Sequence, residues 1–181
     1  MFSATQKKEL LALARASIAS HFQQFRIAIP ADEAFNSKRG VFVSLHIGKE
    51  LRGCIGNIIG HKPIVTSIVD LAAAAAFRDP RFWPLTKPEL EKINIEISVL
   101  SDLIPLAKDE EPVIGRDGLY IEHPYGAGLL LPQVASEWRW NPSTFLKEVC
   151  RKAGLSFKAY QDPEARVYRF TAEVFGEKDT F

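Results

Sequence analysis

The residues ELRGCIGN, 50–57, place a cysteine beside an arginine and two glycines, in a chain of 181 residues that has one other cysteine. In a β-strand, residues two apart project to the same side, so Arg52 and Cys54 are expected to face the same way. A guanidinium beside a thiol favours the thiolate, which attacks electrophiles or binds metals. Gly53 and Gly56 would let the backbone of a ligand or partner come close. The motif predicts a reactive or ligand-binding cysteine, with a small buried Cys54 as the alternative.

A carboxylate and a histidine are the candidates to complete a site around this thiol. Glu96 lies in the predicted strand INIEISVL, on the face opposite its isoleucines. A pair between Arg52 and Glu96 is one hypothesis, and separate solvation of both side chains on an outer face is the other. His46 lies one hairpin away, but no asparagine or aspartate that would orient it is identifiable. The catalytic candidates are therefore Cys54, Arg52 and Glu96.

The composition limits the class of protein. Hydrophobic residues make up 46% and charged residues 25%, as in ordinary globular chains, and the net charge of +1 provides no basic field for a phosphate backbone. The longest apolar run, LAAAAAF, is far shorter than the roughly 20 residues of a membrane-spanning helix. The first residues lack the pattern of a secretory signal, so a cytoplasmic location is expected. The cysteines and histidines have no disulfide or zinc spacing, so we predict no metal and no cofactor.

The periodicity of the first half predicts elements that would position the motif. Helical spacing of leucines and alanines predicts a helix over residues 4 to about 22. Alternation in GVFVSLHIG, followed by LRGCIG, predicts a β-hairpin. A long helix begins at Pro63 and ends at DPRFWP, which we interpret as a structural turn with a salt link in preference to a binding loop. The capping box TKPE precedes a short helix and then the strand over 93–100.

The second half follows the same order. GLYIEH resembles GVFVSLH, GLLLPQV follows as LRGCIG does, a helix capped by Asn141 and stopped by Gly154 comes next, and VYRFTAEVF is a final strand. We predict a single α+β domain, residues 1–181, with one mixed, curved sheet flanked by helices. Its two intertwined halves, about 36–104 and 113–176, would be cryptic strand-strand-helix-strand repeats. By this offset, Pro132 and Gln133 correspond to Cys54 and its neighbour. If a pseudo-twofold axis relates the repeats, Gln133 would line the same pocket as a donor and acceptor; the alternative is a strand end that only turns at Pro132.

Several blocks in order make the chain similar to a known family. LRGCIG, AAAAAFRDPRF, ELEKINIEISVLS, GRDGL, GLLLPQVASE and Trp140 with FLKEVCRKAGL resemble the AMMECR domain family, whose bacterial and archaeal members are called AmmeMemoRadiSam system protein A. The resemblance implies an α+β domain and an association with a Memo-like, dioxygenase-related protein and a radical SAM protein. It implies no settled activity. Trp138 is not part of the family pattern.

Three functions remain open from the sequence. The first is an accessory module that binds a partner or a ligand through Gly53, Gly56, Gln133 and Trp140. The second is an enzyme that uses Cys54 as a nucleophilic or redox thiol activated by Arg52. The third is a nucleic-acid-binding regulatory protein, which the aromatic residues favour and the charge balance disfavours.

Overall fold

The chain folds into helices and antiparallel strands, which we describe for residues 1–179 from a computed structural model. Backbone contacts divide it into unit 1, Met1–Leu100 with the chain from Glu173 onward, and unit 2, Ser101–Ala172. The predicted α+β class is confirmed. No helix within residues 1–179 has both the length and the apolar character needed to cross a membrane.

Unit 1 consists of one four-stranded sheet with its helices. Its elements are α1 (Ala4–Ala19), β1 (Val41–Ile47), β2 (Glu50–Asn57), α2 (Ile64–Phe77), α3 (Lys87–Leu90), β3 (Ile93–Leu100) and β8 (Ala172–Gly176), with a 3-10 turn at Glu33–Asn36. The strand order is β2-β1-β3-β8, so β2, which carries the cysteine motif, is an edge strand.

Alternating residues make the two faces of this sheet different. Val41, Val43 and Leu45 of β1 are fully buried and pack in one core with the apolar faces of α1 and α2. Their neighbours Ser44 and His46 point to the other face and are half-buried. The outer face of the sheet therefore carries half-buried polar side chains that solvent or a ligand could contact.

Unit 2 contains the second four-stranded sheet. Its elements are β4 (Ile104–Pro105), β5 (Gly118–His123), β6 (Gly126–Leu130), α4 (Pro132–Glu137), α5 (Pro142–Lys152), a 3-10 turn at Ala159–Gln161 and β7 (Arg166–Phe170), and the sheet order is β4-β7-β5-β6. Both units thus place a hairpin beside a later strand. The internal duplication itself stays a prediction.

Two differences from the sequence-based expectation concern strands. The strands form two sheets instead of one mixed sheet, and every pair with a described register is antiparallel. The predicted final strand is also divided at Thr171, because the backbone there exchanges hydrogen bonds with Ser101: Ser101 N donates to Thr171 O (2.8 Å) and Thr171 N donates to Ser101 Oγ (2.9 Å). The residues before and after Thr171 therefore belong to different sheets.

Helix ends follow the local sequence chemistry. Ser3 and Gln6 form a capping box at the start of α1, and α1 ends at Ala19, three residues earlier than expected. Asn141 caps α5 by accepting from Thr144 N, as predicted. Pro132 occupies the first turn of α4 instead of continuing β6, because its fixed φ suits a helix start and it lacks the N–H that a strand ladder uses.

Candidate functional site

Cys54 lies on β2 with its thiol half-buried on the outer face of the sheet. The strand register places it directly opposite Ser44 of β1, and the Ser44 hydroxyl donates to Cys54 Sγ over 3.2 Å. The other cysteine, Cys150, is fully buried in the core of unit 2, and burial raises the pKa of its thiol. Cys54 is therefore the cysteine that solvent and ligands can reach.

An aspartate and an arginine after α2 hold the backbone of Cys54. Asp79 Oδ2 accepts from Cys54 N (2.8 Å), and Arg81 Nη2 donates to Cys54 O (3.1 Å). Arg81 also donates to Asp79 through Nε (3.0 Å) and Nη2 (2.8 Å). The Arg81 guanidinium holds the pKa of the buried Asp79 carboxyl well below its usual range, and Asp79, with a smaller contribution from the Cys54 side chain, raises the pKa of Arg81. The guanidinium that contacts Cys54 thus belongs to Arg81.

Arg52 has a different position from the one that strand alternation predicted. The ladder pairs Leu45 with Gly53 but His46 with Leu51, so Arg52 is the extra residue of a β-bulge. A bulge redirects the side chain at that position. The hypothesis of an Arg52–Glu96 pair is wrong, because Arg52 forms its ion pair with Glu89 instead, and activation of the thiol by Arg52 stays a prediction.

The partner of Arg52 is the carboxylate that caps α3. Arg52 Nε and Nη2 donate to Glu89 Oε1 (2.8 Å) and Oε2 (3.2 Å), while Thr86 donates to Oε2 through its backbone N and hydroxyl, both at 2.8 Å. The Arg52 guanidinium lowers the pKa of Glu89 to about 2. The predicted capping box is confirmed, and its glutamate has a second role as the ion-pair partner of Arg52.

Arg52 also fixes the backbone of an exposed tryptophan. Its Nη1 donates to Trp83 O (2.9 Å) and its Nη2 to Pro84 O (3.5 Å). The Trp83 side chain is nevertheless 88% exposed. We call residues 78–88 the Trp83 segment; it is held at one end by the Asp79 and Arg81 contacts and at the other by Arg52. From the sequence, DPRFWP within this segment was interpreted as a structural turn with a salt link in preference to a binding loop.

Glu96 lies on the same face as Cys54 but one strand further away. Ser44 pairs with Cys54 on one side and with Glu96 of β3 on the other, so the three side chains form a row across the sheet. His46 is opposite Asn94 in this ladder, two positions along β1. The structure therefore brings Glu96 near the site through Ser44, and a catalytic role for Glu96 stays a prediction.

The two glycines of the motif make room for other parts of the protein. A Cβ at Gly53 would lie 2.1 Å from the carbonyl oxygen of Ala75 in α2, and a Cβ at Gly56 would lie 2.2 Å from the ring of Phe42. Gly53 is buried on the inner face, away from the thiol. Ligand binding at these glycines stays a prediction, and the structure gives both of them packing neighbours.

The remaining predicted binding residues lie in unit 2. Gln133 belongs to α4 instead of a strand. When the two hairpins are compared from their turns, the pair Tyr120–Leu129 of β5 and β6 corresponds to the pair Ser44–Cys54 of β1 and β2, so Leu129 and not Gln133 has the position of Cys54. Trp140 packs against the core of unit 2, with its ring 6.3 Å from Phe145. Their roles in a binding site stay predictions. Within the described residues, no group of three or more His, Cys, Asp or Glu side chains could hold a metal ion.

Comparison with known proteins gives matches over nearly the whole chain. The AMMECR1 family model matches residues 11–175. A protein of Methanothermobacter thermautotrophicus is 41% identical over 185 residues, covering 97% of this chain and 96% of the relative. Protein TK0174 of Thermococcus kodakarensis is 39% identical over 182 residues, covering 93% and 89%. The crystal structure of the uncharacterized protein PH0010 from Pyrococcus horikoshii superposes with a TM-score of 0.82 at 36% identity, covering 93% of this chain and 90% of that one.

Proposed function

This chain belongs to the AMMECR1 family, and we propose that it is an accessory module that binds a protein partner through the Trp83 segment. The partners that we propose are a Memo-like, dioxygenase-related protein and a radical SAM protein, as the resemblance to AmmeMemoRadiSam system protein A implies. Arg52 of the LRGCIG stretch would then have a positioning role, since it holds the backbone of Trp83.

The observation that carries this proposal is an exposed indole on a fixed backbone. Trp83 is 88% exposed, although four hydrogen bonds from Arg52 hold the chain from Trp83 to Glu89. A rigid aromatic side chain loses little conformational entropy on binding and buries a large apolar area, which is why tryptophan is enriched among the residues that dominate interface energies. An isolated exposed leucine would carry no such argument.

The test is a binding measurement with Trp83→Ala. We expect the affinity for the Memo-like or the radical SAM protein of the same organism, measured by isothermal titration calorimetry, to fall by about 30-fold or more, as for a tryptophan anchor. Trp138→Ala is the matched control, because Trp138 is 68% exposed in unit 2. Equal affinities for both variants and the natural chain would contradict the proposal, as would failure of both candidate proteins to bind the natural chain.

A second candidate function is thiol chemistry at Cys54. The specific observation is that the Ser44 hydroxyl donates to Cys54 Sγ, while the Arg81 guanidinium donates to the carbonyl oxygen of the same residue. Donors of this kind stabilise negative charge on sulfur, so a Cys54 thiolate could attack an electrophilic carbon and expel a leaving group that takes the bonding electron pair. In this second candidate function, the cation that favours the thiolate is Arg81 and not Arg52, which the sequence predicted.

Alkylation kinetics separate thiol chemistry from a passive cysteine. With Cys150 replaced by alanine, we expect iodoacetamide to modify Cys54 in the folded protein, and Ser44→Ala to slow the reaction severalfold because one donor to sulfur is lost. The rate in the unfolded chain is the reference. A Ser44→Ala rate equal to that of the natural chain would remove the argument from the hydroxyl.

A further inference from the structure

We infer that the partner surface that docks on the Trp83 segment is an acidic protein surface, in which carboxylates surround an apolar slot for the indole. This inference rests on the proposed function and adds the chemistry of the partner.

The charges that the Trp83 segment presents to solvent are positive. Arg78 and Lys87 are exposed, and neither side chain has an ion-pair partner within residues 1–179. The side chain of Arg81 is 54% exposed. The only acidic residue of the segment, Asp79, has a side chain 2% exposed, turned inward to Arg81 and the backbone of Cys54. The exposed charges of the segment itself are therefore cations beside an indole.

The backbone of the segment is restricted before any partner binds. Three prolines, at positions 80, 84 and 88, fix φ, and Leu85 N donates to Ala76 O (2.8 Å) behind them. A preordered surface loses little entropy on association. The cations flank Trp83 on both sides along the chain, so carboxylates that frame a slot for the indole could meet them without rearrangement of the backbone.

A nucleic acid fits these observations less well. The net charge of the chain is +1, which provides no extended field for a phosphate backbone. Sequence-tolerant binding of a single strand uses several stacking aromatics along a basic groove. The Trp83 segment offers one fully exposed ring, since its other aromatic residue, Phe82, is half-buried with the Arg81 guanidinium 5.4 Å from its ring centre. One anchor framed by a few cations is the arrangement of a protein contact.

The experiment follows the three indole N–H signals of the intact protein by NMR. The probe is the synthetic peptide acetyl-Glu-Asp-Leu-Phe-Asp-Glu-amide, compared with the neutral analogue in which Gln and Asn replace Glu and Asp. We expect the acidic peptide to shift the Trp83 signal and the neutral analogue to shift it at least about tenfold less at equal concentration. The Trp138 signal is the internal control, because this side chain is also exposed but lies in unit 2.

Charge-reversal variants test the same contact. We expect the double variant Arg78→Glu with Lys87→Glu to lower the affinity for the acidic peptide about tenfold. The matched control is Lys147→Glu with Lys158→Glu, at exposed lysines of unit 2, which should change this affinity less than twofold. Equal shifts by both peptides, no effect of the first pair, or a larger Trp83 shift with an eight-residue oligouridine would overturn the inference. These outcomes need no natural partner, so they are independent of whether Trp83→Ala weakens the Memo-like or radical SAM protein.

Discussion

Replacing Gly53 by alanine would force β2 and α2 apart. The added Cβ would lie 2.1 Å from Ala75 O and 3.1 Å from Ala75 C, whereas ordinary contacts begin at 3.4 Å. Both sides of this contact are backbone, so no side chain can turn away to relieve it. The strand, the helix or both must move by about 1 Å, and the core between them must repack.

The expected loss of stability follows from this geometry. Overpacking a core costs about 1–3 kcal/mol, and a clash between two backbones belongs at the upper end, so we expect about 3 kcal/mol for Gly53→Ala. For a chain of this size, that free energy corresponds to a fall in Tm of about 6–12 °C. The control is Gly48→Ala, where φ is +63° but nothing lies within 4 Å, so only the left-handed backbone costs about 1 kcal/mol.

Urea unfolding followed by circular dichroism measures both variants. We expect a lower midpoint for Gly53→Ala than for Gly48→Ala, with a similar slope. A loss below about 1 kcal/mol at Gly53, or equal losses in both variants, would refute the claim that this glycine is required by the close approach of α2.

Two further predictions concern the ionisable groups of the site. Because Arg52 lowers the folded pKa of Glu89 to about 2 from 4.5, its stabilisation is complete above pH 4.5 and is lost as the pH falls towards 2. The pKa shift sets an upper limit of about 3 kcal/mol on this contribution to the free energy of unfolding, and solvent screening of the quarter-exposed carboxylate reduces it to about 1–2 kcal/mol. Arg52→Met should therefore make the free energy of unfolding, measured with urea, depend less on pH in this range. With iodoacetamide at neutral pH, Cys54 should be labelled in the folded chain and Cys150 only after urea is added, which mass spectrometry of peptides would show; labelling of both at similar rates would contradict the burial of Cys150.

Local sequence patterns predicted much of the fold. The alternation around Val43, the capping box at Thr86 and the cap at Asn141 each have a cause within a few residues, and each was found where expected. The break at Thr171 has no such cause. The backbone of Thr171 forms hydrogen bonds with Ser101, 70 residues earlier in the chain, and the alternation within the strand gives no indication of that partner.

The site was predicted less completely for the same reason. The cysteine and its outward face followed from alternation, but the bulge at Arg52 depends on how β2 registers against β1. Arg81 reaches Cys54 across 27 residues, and its aspartate partner was interpreted as part of a turn. Glu89 was already assigned to a helix cap, and nothing in the sequence indicated that one carboxylate serves two partners.

The contacts of Asp79 and Arg81 with the backbone of Cys54 have a consequence for solubility. β2 is at the edge of its sheet, and an edge strand with free N–H and C=O groups can recruit a strand from another molecule. Asp79 accepts from Cys54 N, as the carbonyl of an added strand would, and Arg81 donates to Cys54 O, as the N–H of an added strand would. The two side chains thus imitate a neighbouring strand for one residue, and their exposed guanidinium places a charge where a second copy would have to pair. Asp79 and Arg81 therefore prevent an added strand from pairing with the backbone of Cys54 on this edge strand.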